Sequence, residues 1–103
     1  MTWLYKIELK NGLNKLDSHA AFADTPVKTK EFVSDFIKEY EKDYKMKSYY
    51  WNVSFHTEFQ KIRVDFGSHV SFIYIYAASK ELYDKLYQYW MSNNKEESKD
   101  EEN

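Results

Sequence analysis

Between Ser71 and Ser79 the chain reads SFIYIYAAS, almost wholly apolar where an ordinary half-buried strand alternates. Successive side chains of a strand point to opposite faces, so Phe72, Tyr74 and Tyr76 share one face and Ile73, Ile75 and Ala77 the other. Both faces need an environment, and that requirement limits the folds open to the chain. Isoleucine suits a close-packed contact between helix and sheet, whereas tyrosine suits a face whose outer end meets water. The expected arrangement therefore turns Ile73 and Ile75 inward and leaves Phe72, Tyr74 and Tyr76 on an open face. Two alternatives stay open. One reverses the strand and exposes two isoleucines. The other makes the strand central and covers its second face with the last helix or with residues 13–24, so that the aromatics are simply core.

The rest of the chain supplies the partners for such a strand. Trp3, Tyr5, Ile7 and Leu9 alternate with Leu4, Lys6, Glu8 and Lys10, a first half-buried strand that ends at Asn11-Gly12, a pair suited to positive φ. Residues 13–24 carry no clear period and suit either a short hairpin strand or a loop. A helix begins next, with Thr25 as cap and Pro26 at the first helical position, or with Thr29 as cap one turn later. Phe32, Val33, Phe36, Ile37, Tyr40 and Tyr44 recur at helical spacing as far as Met46. Tyr49, Trp51, Val53 and Phe55 mark a second strand and Ile62, Val64 and Phe66 a third; the fourth covers His69 to Ala77. Ser79 caps a second helix with Leu82, Leu86, Tyr89 and Trp90 inward, Tyr83 and Tyr87 on its flank, and its end at Ser92-Asn93-Asn94. The predicted fold is a two-layer α+β sandwich, a mainly antiparallel four-stranded sheet with two helices, in the order β-α-β-β-β-α.

Composition narrows the class. With 103 residues, 43% of them apolar, the chain suits one globular domain that buries roughly 65% of its unfolded surface. Residues 1–94 form that domain, with charges nearly balanced. Residues 95–103, KEESKDEEN, hold nothing that can be buried and are expected to be a disordered acidic tail. Lysine outnumbers arginine 14 to 1, and residues with AT-rich codons dominate, which suggests a low-GC bacterium or one of its phages or plasmids. The charges at Lys6, Glu8 and Lys10 do not suit a signal peptide, and no apolar run approaches about 18 residues, so a cytoplasmic protein with no membrane partner is expected.

Several chemistries lack their parts. There is no cysteine, which removes disulfides, thiolate metal sites and cysteine nucleophiles. With 2 glycines in the chain, no phosphate-cradling loop or dinucleotide fingerprint can be built. Asp65-Phe66-Gly67 matches a kinase triplet in letters alone, and His56-Thr57-Glu58 lacks the cysteines of a deaminase. His56 and Glu58 would share a strand face, with His69 or Asp65 as distant third ligands, yet the spacing is that of an ordinary polar strand end. No catalytic residue, cofactor or metal site is expected, and the chain reads as a non-enzyme.

What remains is a surface. Phe72, Tyr74 and Tyr76, joined by Tyr50 and Leu4 and ringed by Lys6, Lys61 and Arg63, make an aromatic patch with a basic rim, the composition of a protein interface. The expected partner is a host protein or a second copy of the chain. A phage- or mobile-element-type inhibitor of a host protein, such as an anti-CRISPR or anti-restriction protein, is one such module. The second reading is nucleic acid. The run from Ser71 into ASKELYDKL is similar to the segment of RNA-recognition motifs that leads from the third strand into a helix. That resemblance implies bases stacked on Tyr50, Phe72, Tyr74 and Tyr76 beside Lys61 and Arg63. The chain departs from the motif in lacking the basic-glycine-aromatic signature and a strand after the last helix, and in having an extra strand.

Overall fold

Every alternating segment forms a strand, and one further strand arises from the stretch whose pattern is silent. A computed structural model describes residues 3–12, 19–48, 51–68 and 70–102, with side chains through Ser92. The elements are β1 (Tyr5–Lys10), β2 (His19–Ala23), α1 (Pro26–Tyr44), β3 (Asn52–His56), a 3-10 turn (Thr57–Phe59), β4 (Lys61–Asp65), β5 (Phe72–Ala77) and α2 (Lys80–Glu102). Among the described residues the sheet has five strands rather than the four expected, in the order β2-β1-β5-β4-β3, every neighbouring pair antiparallel. The additional strand is His19-Ala20-Ala21-Phe22-Ala23, whose alanines carry little strand propensity. Pairing along β1 makes it a strand, with Ala21 opposite Ile7 and Ala23 opposite Tyr5.

Both helices cover one face. Tyr5, Ile7, Leu9, Ile62, Val64, Ile73 and Ile75 point into that layer and are buried, where they meet Val33, Ile37, Tyr40, Tyr83, Leu86 and Trp90. The Lys28 amide donates to Thr25 Oγ1 at 3.2 Å, so Thr25 caps α1 with Pro26 behind it. Thr29 is not a cap. It is buried and accepts a 3.1 Å hydrogen bond from Trp90 Nε1, tying α1 to α2. The helix ends at Tyr44, two residues before Met46, because Lys45 turns left-handed (φ 51°) and the Met46 amide closes on the Glu41 carbonyl.

In α2 the Leu82 amide donates to Ser79 Oγ at 3.2 Å, the expected cap. Tyr83, placed on the flank by its spacing, is instead core at 2% exposure, and its hydroxyl lies 3.0 Å from Thr57 Oγ1. The helix crosses the sheet so that residues 83, 86 and 90 form its buried seam, while Leu82 and Tyr89 pack beside it. The backbone continues helical to Glu102 rather than stopping at Ser92–Asn94, since that stretch contains no proline or glycine.

A polar knot closes the end of the sheet where β1 and β5 meet. Ser71 Oγ donates to Asn11 Oδ1 at 3.2 Å and accepts from the Gly12 amide at 3.0 Å; Asn11 Nδ2 donates to the Tyr44 hydroxyl at 2.9 Å. The Tyr40 hydroxyl lies 3.0 Å from Ser71 Oγ. Gly12 is required for space rather than for positive φ: a Cβ there would overlap the Val70 carbonyl oxygen. The positive-φ glycine is Gly67 in the β4–β5 loop (φ 95°).

Candidate functional site

The register of β5 builds the open face. β5 lies between β1 and β4, so each of its outward rings is flanked from both sides. Tyr76 stands opposite Lys6 on β1 and Lys61 on β4; Tyr74 stands opposite Glu8 and Arg63; Phe72 stands opposite Lys10. Side-chain alternation then gives an aromatic row down the middle strand with charged rows on either side. Ile73 and Ile75 are fully buried on the helix side, as their residue types imply, while the three aromatics are half-buried.

The rings and cations form one layer. Lys10 Nζ lies 5.2 Å from the centre of the Tyr74 ring and Lys61 Nζ 5.3 Å from it, and the Arg63 guanidinium lies 5.0 Å from the Phe72 ring. These are cation–π distances. Tyr74 and Tyr76 stack at 6.2 Å with 27° between their planes. Glu8 anchors the β1 side: it reaches Lys6 at 3.7 Å and Lys10 at 3.8 Å and accepts a 3.4 Å hydrogen bond from the Tyr76 hydroxyl. Burial raises the pKa of that hydroxyl above the ordinary tyrosine value, Lys10 opposes the rise, and the Glu8 carboxylate adds to it.

The β4 side is different. Among the described residues neither Lys61 nor Arg63 has a carboxylate at ion-pair distance. Arg63 Nε and, on the adjoining β3, His56 Nε2 are buried with no hydrogen-bond partner among the described residues. A desolvated donor such as the Arg63 Nε–H costs free energy until something accepts from it.

Of the residues marked by the sequence, Lys61, Arg63, Phe72, Tyr74 and Tyr76 meet on this face, and Lys6 lies on its rim. Tyr50 lies outside the described residues. Leu4 is exposed but belongs to a neighbouring apolar cleft of about 380 Å³ lined with Trp3, Phe22 and Phe32 at the end of β2. Lys10 and Glu8 were not singled out by sequence, although both share the face. The β1 alternation puts them beside Lys6, but nothing local says that β1 borders β5.

Among the described residues no group of three His, Asp or Glu side chains is placed to hold a metal ion. Glu58 sits on the 3-10 turn and no longer continues the strand that carries His56. Among the same residues no helix is long and apolar enough to cross a membrane. No protein-family model matches this chain, and no curated protein or solved structure does either.

Proposed function

We propose that this is a non-enzymatic protein-binding module whose open sheet face docks on another protein. The observation that carries the reading is the Lys61–Arg63 side of the aromatic row: two cations, and a buried Arg63 Nε–H, without acidic partners among the described residues, set against Tyr74 and Phe72. Interface centres are enriched in Tyr, Phe and Arg, and an arginine spread over a ring is already preorganised for a carboxylate. The complementary partner surface is apolar at its centre and acidic beside the β4 side. In the finer form of the proposal the chain acts in the cytoplasm as an inhibitor of a host protein, of the kind carried by phages and mobile elements. A cysteine-free composition rich in amino acids that AT-rich codons encode supports that form.

Single-stranded nucleic acid is the second reading, favoured by the same two cations. Against it, the Tyr74 ring is already bracketed by Lys10 and Lys61, and Phe72 by Arg63, so a base must displace a cation before it can stack. The test is affinity capture from the host cell with nuclease added in parallel, using wild-type chain and Tyr74→Ala. The protein-binding reading requires a partner that survives nuclease and is lost with Tyr74→Ala. Loss of all captured material on nuclease treatment, with steep salt dependence for a single-stranded oligonucleotide, overturns it in favour of nucleic acid.

A further inference from the structure

We infer that β2 is a self-pairing edge: two copies of this chain join β2 to β2, antiparallel about a two-fold axis at Ala21, into one continuous sheet. β2 is the outer strand of its sheet, with β1 on one side and, among the described residues, no strand on the other. Edge strands are ordinarily protected by charge, proline or a bulge. His19-Ala20-Ala21-Phe22-Ala23 contains no formally charged side chain and no proline, and its five residues run in unbroken register along β1. His19, Ala20 and Phe22 are exposed, Phe22 at 52%. The opposite edge, β3, exposes Asn52 alone, its other side chains being half-buried.

The residue order identifies the occupant as a second copy. A two-fold axis at Ala21 sets Phe22 of each copy opposite Ala20 of the other, and His19 opposite Ala23. Each large side chain then meets a small one, as an isologous contact requires. About this axis a charge at position 21 would face its own copy, and one at position 20 or 22 would lie diagonal to its copy. The absence of charge in β2 removes that repulsion. The axis runs perpendicular to the sheet, which sets the two aromatic open faces side by side on one surface. A contact of one short strand pair is small, so the dimer is weak and concentration-dependent.

The test uses the full chain in sedimentation equilibrium. The weight-average mass should rise from 12.5 kDa toward twice that value with concentration. A mass that stays monomeric up to about 1 mM overturns the inference. Position 20 of one copy faces position 22 of the other, so the double variant Ala20→Lys with Phe22→Lys should weaken association at least about tenfold. Ala20→Lys with Phe22→Glu should retain wild-type association within about threefold. Both positions are exposed, so thermal melting checks that the fold survives. Equal weakening by the two variants overturns the register. Because the chain is free of cysteine, Ala21→Cys gives a second readout. Across the axis the two positions lie about 4.5–5.5 Å apart, within disulfide reach, whereas Ala20→Cys sets its two copies diagonally at about 7–8 Å. Oxidation should trap the first variant as a dimer and leave the second monomeric; the reverse result, or capture of an unrelated extended peptide by a monomer, overturns self-pairing.

Discussion

The two faces of β5 are made from one run of six residues, Phe72–Ala77, yet they meet different surroundings. On the helix side Ile73 and Ile75 have no exposure at all and are enclosed by α1, α2 and the neighbouring strands. On the other side Phe72, Tyr74 and Tyr76 are half-buried, and what covers them is a set of flexible charged side chains: Lys10, Lys61 and Arg63. The first environment is rigid and close-packed. The second can be lifted away by a partner that supplies better contacts. Apolar content is similar on both faces, so the difference lies in what would have to move to expose it.

The largest effect that tests this contrast is on stability. Ile75→Ala removes buried methylenes from a layer that cannot collapse around the gap, and should cost about 2–5 kcal/mol in urea unfolding. Tyr74→Ala opens a face whose cover is mobile and should cost about 1 kcal/mol or less. Equal costs would show that both faces are core. Binding should order these residues the other way. Once a partner is in hand, Tyr74→Ala should weaken it by about 2 kcal/mol or more, while Lys6→Ala, on the rim and already paired with Glu8, should change it little. Arg63→Ala should fall between them, because among the described residues its guanidinium has no acidic partner before the complex forms.

A contrast of intermediate size lies at the end of the sheet. Asn11→Ala leaves Ser71 Oγ and the Tyr44 hydroxyl without their Asn11 partner in a buried knot and should cost about 1–3 kcal/mol. On the open face Glu8→Ala removes contacts that water can replace, and its cost should be smaller. Chemical denaturation of the two variants side by side measures the difference.

These contrasts also mark what was legible in the sequence. The facing of β5 was readable because isoleucine and tyrosine differ in their tolerance of water. The cap at Ser79 and the buried faces of β1, β4 and α1 follow from local spacing alone, whereas spacing left the α1 cap open between Thr25 and Thr29. β2 was not readable, since Ala20-Ala21 carries neither period nor propensity and only the pairing with β1 makes it a strand. Tyr83 was misplaced because spacing defines a helical stripe but not the angle at which the helix crosses the sheet. Lys10 and Glu8 were missed as members of the face for a related reason. Strand order is set by contacts between distant segments, and here the first and last strands lie side by side in the middle of the sheet.

The smallest expected effect compares two tyrosines on opposite faces. Tyr5 lies in the helix-covered layer and donates to the Leu82 carbonyl at 2.9 Å; Tyr76 lies on the open face and donates to Glu8. Burial raises both pKa values from 10.0, so each side chain holds its proton more tightly when folded. A raised folded value means that the native state binds more protons than the unfolded chain above pH 10.0, and stability falls as pH climbs through that range. Below pH 10.0 the contribution is complete. Unfolding midpoints measured from neutral to strongly alkaline pH should therefore decline, and Tyr76→Phe and Tyr5→Phe should each flatten the decline. Tyr5→Phe carries a further pH-independent loss, because the Leu82 carbonyl loses a donor inside the helix layer, whereas Glu8 keeps Lys6 and Lys10 when Tyr76 is changed. If Tyr76→Phe leaves the alkaline slope unchanged, the Tyr76 hydroxyl is solvated in the folded protein, and the open face is wetter than the half-burial of its rings implies.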